Sequence, residues 1–421
     1  MKKLISFLLS ISLFLPTLAG ATTLKTEKHV SLINVVRTST STTYTSTADR
    51  EPIWYYDADA FDQVTAIYVE ANMRAGNAAD TAYMILTNAT SSANITGTEL
   101  TTSATTNAQV RSADIKANLT DNTEYIARWK CDNGAGGAPV GTCSFDTFRI
   151  IVVQQGQVTK TETVIEMSED NNVPSTSYAA PTDYAVFYYD SSQFDGTVTA
   201  YVEATLKENT GTDVVAAQLY DITAAAAVAS SEVTDTGDTT KDRVRSGAIT
   251  LTTGHEYRPD IKGTATTDDV LSFSLIIQQT GTPTKSENYI TVLNTLTSGT
   301  VTTYVYQNRQ PQFDAANYDG DSEAFIWEAT LKTTGNLAYS QLYNETDAAE
   351  VGVVSTTTTS YSRNRVTLTV PSDAGNDLDH GRKIDTSGTV SVARGYLIIQ
   401  QSWSTPAAAS TLDSSYIILF E

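Results

Sequence analysis

The chain has 421 residues with 48 acidic and 27 basic side chains, which gives a formal net charge of −21 at pH 7. A chain this acidic repels phosphate backbones and anionic lipid surfaces, so binding to nucleic acid or to a membrane surface is disfavoured. The length is enough for roughly two to four domains.

The N-terminus has the three parts of a secretory signal. Lys2 and Lys3 precede the apolar run Leu4–Leu18, and Ala19-Gly20-Ala21 fits a cleavage site. We predict a Sec-type signal peptide over 1–21 and a mature chain that is secreted or displayed at the cell surface, with a retained membrane anchor as the alternative. No later apolar run approaches the ~18–20 residues of a spanning helix, so the mature chain should not insert into a membrane.

Three repeats follow, and each contains the same anchors in the same order. Each opens with an aligned lysine and glutamate: Lys25/Glu27, Lys160/Glu162 and Lys285/Glu287. A central motif follows as Trp54–Arg74, Phe187–Lys207 and Gln312–Lys332, and an apolar strand ends in a Gln pair that begins at Gln154, Gln278 and Gln400. These anchors predict modules over 22–156, 157–281 and 282–404, followed by a terminal segment over 405–421.

The period of the apolar residues predicts strands. Within Val198–Ala204, apolar residues alternate with Thr199, Tyr201 and Glu203, which is typical of a half-buried strand. Turn-forming clusters recur every ~8–12 residues, as in a sandwich. We predict an all-β fold class of three tandem β-sandwich modules, either jelly-roll or immunoglobulin-like. Because the joints Gly156–Val158 and Thr280–Pro283 are too short for flexible linkers, we expect the modules to form a rod.

The terminal segment contains Thr411–Glu421, which is similar to the opening strand of a module. If the closing strand of each module lies beyond its Gln pair, this segment completes module 3. Alternatively, it adds to the sheet edge of a neighbouring molecule and forms a polymer, or it is a frayed tail.

Cys131 and Cys143 are the only cysteines, and they bound a short Gly-rich loop in module 1. In an exported protein such a pair predicts a disulfide, with free thiols as an alternative. A metal site is a poor interpretation because no histidine or further cysteine lies near in sequence.

Two aspartates five residues apart recur in every central motif, as Asp57/Asp62, Asp190/Asp195 and Asp314/Asp319. Aspartate in a turn satisfies local backbone N–H groups, and we favour this interpretation. Two carboxylates around a turn could also hold Ca²⁺. No other cofactor is indicated.

A glutamate and an arginine also recur at equivalent strand positions: Glu70/Arg111, Glu203/Arg245 and Glu328/Arg365. We predict that each pair forms a cross-strand ion pair, which contributes little if it is exposed.

Aromatic side chains on predicted outer faces could stack on sugar rings, namely Trp54, Tyr55, Tyr188 and Tyr201. Strand propensity alone also places aromatics on sheets. Trp327 has inward parity and is predicted to lie in the core.

The sequence contains no Ser-His-Asp set, HExxH motif, P-loop or dinucleotide fingerprint. The recurring YYDxxxFDGxVTxYVEA, VRS and LIIQQ segments resemble the tandem β-rich modules of exported proteins from uncultivated bacteria, a group without a settled activity. The resemblance implies a secreted or surface location. We expect a non-enzymatic structural or adhesive protein that associates with itself, with other surface proteins or with glycans. The alternatives are a carbohydrate-binding protein and, less favoured, a secreted hydrolase.

Overall fold

A computed structural model describes residues 24–33, 35–45, 52–237, 239–265, 268–293, 296–307, 311–319, 322–369 and 376–403. The signal peptide predicted over 1–21 and the terminal segment 405–421 lie outside these residues. The described residues form strands and four short 3-10 turns, over Ala58–Ala60, Lys116–Asn118, Ser191–Gln193 and Ala315–Asn317. In these ranges, no helix is long and apolar enough to cross a membrane.

Module 1 contains two facing sheets, ordered β1-β9-β4-β7 and β3-β8-β5-β6, and the short β2 pairs with β9. Its strands are β1 Leu24–Ile33, β2 Arg37–Ser39, β3 Trp54–Tyr56, β4 Val64–Arg74, β5 Thr81–Asn88, β6 Leu100–Thr102, β7 Ala108–Arg111, β8 Thr123–Asp132 and β9 Cys143–Gly156. The predicted disulfide joins Cys131 of β8 to Cys143 of β9.

Module 2 repeats this arrangement with sheets ordered β10-β18-β12-β16 and β11-β17-β13-β14, where β15 also pairs with β13. Its strands are β10 Lys160–Asn172, β11 Phe187–Tyr188, β12 Thr197–Lys207, β13 Val214–Asp221, β14 Ala226–Ala227, β15 Val233–Thr236, β16 Lys241–Arg245, β17 Glu256–Gly263 and β18 Asp269–Thr280.

Module 3 has sheets ordered β19-β28-β23-β26 and β21-β27-β24-β25, with β20 pairing β28 and β22 pairing β27. Its strands are β19 Lys285–Leu293, β20 Thr297–Gly299, β21 Val305–Tyr306, β22 Gln312–Phe313, β23 Ser322–Thr333, β24 Ala338–Asn344, β25 Ala349–Thr356, β26 Ser362–Leu368, β27 Asn376–Ile384 and β28 Val390–Ser402.

The strand order decides between the two predicted sandwich types. When the eight main strands of each module are lettered B to I in chain order, one sheet reads B-I-D-G and the other C-H-E-F. This is the order of an eight-stranded jelly roll, in which every connection except the one between E and F crosses from one sheet to the other. The all-β prediction with sandwich modules is confirmed. The opening strand of each module is its own strand B, so the strands of module 3 from Lys285 to Ser402 supply the whole order without residues 405–421.

Each module has its own apolar core between its two sheets. Trp327 lies in the core of module 3, as its parity predicts. In strand I of module 1, Phe148, Ile150 and Val152 point into the core, while Ile151 and Val153 are buried on the opposite face. A strand that is covered on both faces reads as a continuous apolar run. The B-I-D-G sheet is therefore covered from outside the module.

The predicted rod is wrong, because module 1 contacts module 3 as well as module 2. Strands β1, β10 and β19 all touch one another, and β1 forms an isolated bridge from Lys25 to Asp319 of module 3. The joints are short, as predicted, but Gly156 and Gly281 adopt positive φ angles of 129° and 91° there, where the absence of a Cβ permits a turn. The modules form a closed ring with 1/2, 2/3 and 3/1 seams.

Candidate functional site

The three opening strands meet at the centre of the ring, which we call the junction. Lys28 of β1 donates to Thr163 Oγ1 of β10 and to Ser286 Oγ of β19, both at 3.1 Å. Asn288 Nδ2 of β19 donates in turn to Thr26 Oγ1 at 2.7 Å. Each module thus supplies polar groups to a buried contact with the other two. Burial lowers the pKa of Lys28 to about 7.

The second aspartate of each central motif binds the opening strand of the next module. Asp62 accepts from the backbone N–H groups of Thr159 and Lys160 at 2.8 and 3.1 Å. Asp195 accepts from Thr284 and Lys285 in the same way, at 2.7 and 2.9 Å.

Asp319 and Lys25 exchange two backbone hydrogen bonds of 3.2 and 2.9 Å, which closes the 3/1 seam. Our interpretation of the second aspartates as local turn residues is therefore wrong for Asp62 and Asp195, whose carboxylates bind another module. The repeat gives no information on which module carries the partner.

The first aspartates cap their own 3-10 turns, as that interpretation requires. Asp57, Asp190 and Asp314 each accept a backbone N–H from two residues further along, at 2.8, 2.9 and 2.9 Å. A Ca²⁺ site at these aspartates stays a prediction.

One glutamine of each Gln pair forms hydrogen bonds to both sides of a seam, at the second aspartate and at the opening strand of the next module. Gln154, Gln279 and Gln401 are almost fully buried, and each side-chain amide donates to two carbonyls. At the 1/2 seam these are Asp62 O and Lys160 O, at 2.8 and 3.0 Å. The structural repeat therefore aligns Gln154 with the second glutamine of the later pairs, because Gln154, Gln279 and Gln401 pair with the equivalent residues Thr26, Thr161 and Ser286.

The structure brings together all three predicted glutamate–arginine pairs as directly opposed residues of strands D and G. The Nε–Oε2 distances are 2.9 Å for Arg111–Glu70, 2.8 Å for Arg245–Glu203 and 3.0 Å for Arg365–Glu328. The first two arginines also reach the opening-strand glutamates Glu27 and Glu162.

These ion pairs lie on the outer face of the B-I-D-G sheet, where the preceding module covers them. The Glu70 and Glu328 side chains are each about 2 % exposed. Burial alone would lower the pKa of Arg111, but the charges of Glu70 and Glu27 raise it above its ordinary value. Each glutamate also has a second arginine beside it, namely Arg149 for Glu70, Arg243 for Glu203 and Arg363 for Glu328. Because the carboxylates are largely buried, these pairs stabilise the pairing of strands D and G within each module more than exposed pairs would.

The structure does not gather the four predicted sugar-stacking aromatics on one exposed face. Trp54 lies in the module 1 core and is only 6 % exposed, so its predicted exposure is wrong. Tyr201 is half-buried beneath Arg245, with 5.5 Å between the guanidinium carbon and the ring centroid. Tyr55 and Tyr188 are half-buried at seams.

At those seams the two tyrosines stack with arginines of the next module. Arg243 lies 4.4 Å from the Tyr55 ring centroid, and Arg363 lies 4.8 Å from that of Tyr188. Arg243 pairs with Thr205, Arg363 with Thr330 and Gln109 with Asn72 at equivalent strand positions. Module 1 thus has a glutamine where modules 2 and 3 have the stacking arginine.

Sequence reasoning missed the residues that cross the seams. Lys28 has no lysine counterpart in the other modules, and its partners are short hydroxyl side chains that no motif identifies. His29 lies 3.1 Å from Tyr318 Oη at the 3/1 seam.

No family model and no curated protein matches the chain. Among solved structures, it is similar to the VP2 subviral particle of infectious bursal disease virus, at 9 % identity over 81 % of this chain and 74 % of that chain, with a TM-score of 0.20. It is also similar to a triple jelly roll protein of an archaeal virus turret assembly, at 10 % identity over 90 % and 91 %, with a TM-score of 0.19. Latent PorU from Porphyromonas gingivalis matches at 10 % identity over 93 % and 34 %, with a TM-score of 0.18. At these TM-scores, none of the likenesses supports a conclusion about this chain.

Proposed function

We propose that the protein is a non-enzymatic structural subunit that acts in the extracellular space or at the cell surface and self-associates. One observation carries this proposal: the residues that recur in all three modules are used to hold the modules together. The carboxylates of Asp62 and Asp195 cross the seams to the next opening strand, and Asp319 crosses the third seam through its backbone. A chain whose recurring polar residues serve to pack its own modules together is suited to a mechanical or scaffolding role.

The closed ring supplies a rigid unit for such a role. The buried polar junction fixes one register between modules, because a shifted register would leave its buried polar groups without partners. The predicted signal peptide directs the unit out of the cytoplasm, and the acidic surface keeps it soluble there.

Self-association through the terminal strand over 405–421 is the finer part of the proposal. Two observations support it: its segment Ser415-Tyr416-Ile417 is similar to Asn288-Tyr289-Ile290 of β19, and module 3 already has its own strand B in β19. A segment with strand-forming sequence that its own module does not need can add to a sheet edge of another molecule.

The test compares the mature chain over 22–421 with a chain that ends at Ser404, by sedimentation velocity and negative-stain imaging over a range of concentrations. We expect single rings from the short form and larger particles from the long form. Monomeric rings from both forms at every concentration would contradict self-association through this strand. Glycan or protein ligands would then be the next partners to test.

Carbohydrate binding is a second candidate, and a tyrosine cluster on module 3 favours it. Tyr306 lies between Tyr304 and Tyr343, with ring centroids 6.3 and 4.6 Å away, and its hydroxyl donates to Gln341 at 3.0 Å. Affinity electrophoresis through soluble polysaccharides should show retardation that Tyr343→Ala removes and Tyr83→Ala of module 1 does not. Equal migration of all forms with every polysaccharide would contradict this candidate.

A further inference from the structure

A cleft lies at the 1/2 seam, between the start of module 1 and the outer face of the module 2 B-I-D-G sheet. Its module 1 wall contains Val30–Leu32 and Ile53–Asp57, and its module 2 wall contains Val164, Ser274 and Ile276. The cleft is a consequence of small side chains at positions that are large in the other two modules.

The first of these positions is Ser274 of strand I. Ser274 pairs with Glu203, Arg149 pairs with Glu70, and Tyr396 pairs with Glu328, so the three are equivalent. Tyr396 is buried at the 2/3 seam and donates its hydroxyl to the Glu166 carbonyl of module 2. Arg149 is buried in module 1 at its own copy of this position. Only the 1/2 seam has a serine there.

The second position is Val164 of strand B, which pairs with Ile276. Tyr289 pairs with the equivalent Ile398. The Tyr289 ring packs edge-on against Phe187 of module 2, with centroids 6.2 Å apart. Trp54 is the module 1 equivalent of Phe187, since each begins strand C and the central motif, and it lines the cleft. The 1/2 seam therefore keeps the aromatic wall but lacks the two tyrosine rings that fill the 2/3 seam.

A buried cation with unused donors also lines the cleft. Arg394 of module 3 is 0 % exposed, and its Nη1 donates to Asp183 Oδ1 at 2.7 Å. Its Nε and Nη2 atoms have no hydrogen-bond partner among the described residues. A buried donor is costly to leave unpaired, so an acceptor on a molecule bound in the cleft would stabilise this guanidinium.

The remaining charge of the lining is negative. Five carboxylates and two guanidiniums line the cleft, namely Asp57, Glu162, Glu166, Glu169, Glu203, Arg245 and Arg394. This excess of acid favours a ligand with a positive charge, since opposite charges attract more strongly in a partly desolvated site.

We propose that the 1/2 cleft binds a small aromatic molecule that carries both a hydroxyl group and a positive charge, of the hydroxyaryl-alkylamine class. The ring takes the space that Tyr289 and Tyr396 fill at the 2/3 seam and packs against Trp54. The hydroxyl oxygen accepts a hydrogen bond from Arg394, and the ammonium group lies against the carboxylates of Glu162 and Glu203. The site goes beyond the structural role, because that role does not require an open seam.

The test uses the full mature chain with tyramine as the probe, by calorimetric titration and by the shift of the thermal midpoint. We expect saturable binding with a dissociation constant on the order of 1 mM, as fits a ligand of this size. Phenethylamine, which lacks the hydroxyl, should bind at least about tenfold more weakly. No saturable binding of tyramine, or equal binding of both amines, would overturn the proposal.

Variants place the binding in the cleft. Ser274→Tyr should fold, because Tyr396 is accommodated at the equivalent position, and it should abolish binding. Ser274→Thr should bind as the natural chain does, since the cleft stays open. If Ser274→Tyr does not fold, Val164→Phe fills the same cleft from strand B. Unchanged tyramine binding in the filled variant would overturn the proposal, whatever the outcome of the assembly experiment.

Discussion

Lys28 offers the sharpest test of the packing at the junction. Its side chain is 4 % exposed, and among the described residues its hydrogen bonds go to the hydroxyls of Thr163 and Ser286. Burial lowers its pKa from 10.5 to about 7. The neutral amine is therefore favoured above pH 7 in the folded protein, while the unfolded chain keeps an ordinary lysine that is protonated below pH 10.5.

The magnitude follows from this difference between the folded and the unfolded chain. Each unit by which the pKa is lower in the folded protein corresponds to about 1.36 kcal/mol of lost stability, so the drop from 10.5 to about 7 destabilises the folded protein by about 5 kcal/mol at most. This destabilisation is fully present below pH 7, shrinks as the pH rises from 7 to 10.5, and is absent above that. Lys28→Met removes the charge and therefore this destabilisation, but it also removes two hydrogen bonds that contribute about 1 kcal/mol each. At pH 6 we expect the variant to be more stable than the natural chain by about 3 kcal/mol.

The assay is urea unfolding followed by circular dichroism at pH 6, 7.5, 9 and 10.5. The advantage of Lys28→Met should fall steadily across this series, whereas Lys285→Met, which replaces an exposed lysine, should show no such trend. A difference that is the same at pH 6 and pH 10.5 would refute the account of a desolvated amine at the junction.

Three further predictions concern the seams and the disulfide. Asp195→Ala leaves two backbone N–H groups of module 3 without their acceptor and should lower the free energy of unfolding by about 1–3 kcal/mol. Asp190→Ala removes only a local cap and should lower it by about 1 kcal/mol. A larger loss for Asp190→Ala than for Asp195→Ala in urea unfolding would contradict the seam contact. A double-mutant cycle of Tyr188→Leu and Arg363→Met should give a coupling energy of about 0.5–2 kcal/mol, and additive effects would show that the stacked pair does not stabilise the 2/3 seam. Cys131→Ser should destabilise module 1 by about 3 kcal/mol, because it removes a bridge that closes a short loop. Reductant should shift the unfolding curve of the natural chain and leave that of the variant unchanged. An equal shift in both would argue against the disulfide.

Local structure was largely predictable from the sequence. The period-2 pattern of Val198–Ala204 predicted strand β12, and the repeated parity of Glu203 and Arg245 placed them on facing strands. These features depend on neighbours within one module, which the repeat itself encodes.

The arrangement of the modules was not predictable, because a repeat reads the same in a rod and in a ring. Asp195 gives no sign that its partner lies on the opening strand of the next module. Ser274 becomes informative only when the register shows that Tyr396 and Arg149 occupy its position elsewhere. Trp54 was misplaced because strand C is only three residues long, too short for its parity to be read.

The closed ring is tested most directly by small-angle X-ray scattering on the mature chain at low concentration. A compact unit of about 400 residues has a radius of gyration of about 21 Å. Three modules in a row, each about 40 Å long from strands of about 12 residues, would give about 35 Å. We predict a value near 21–24 Å with a single-peaked distance distribution; a value near 35 Å with a long tail would contradict the ring and restore the rod.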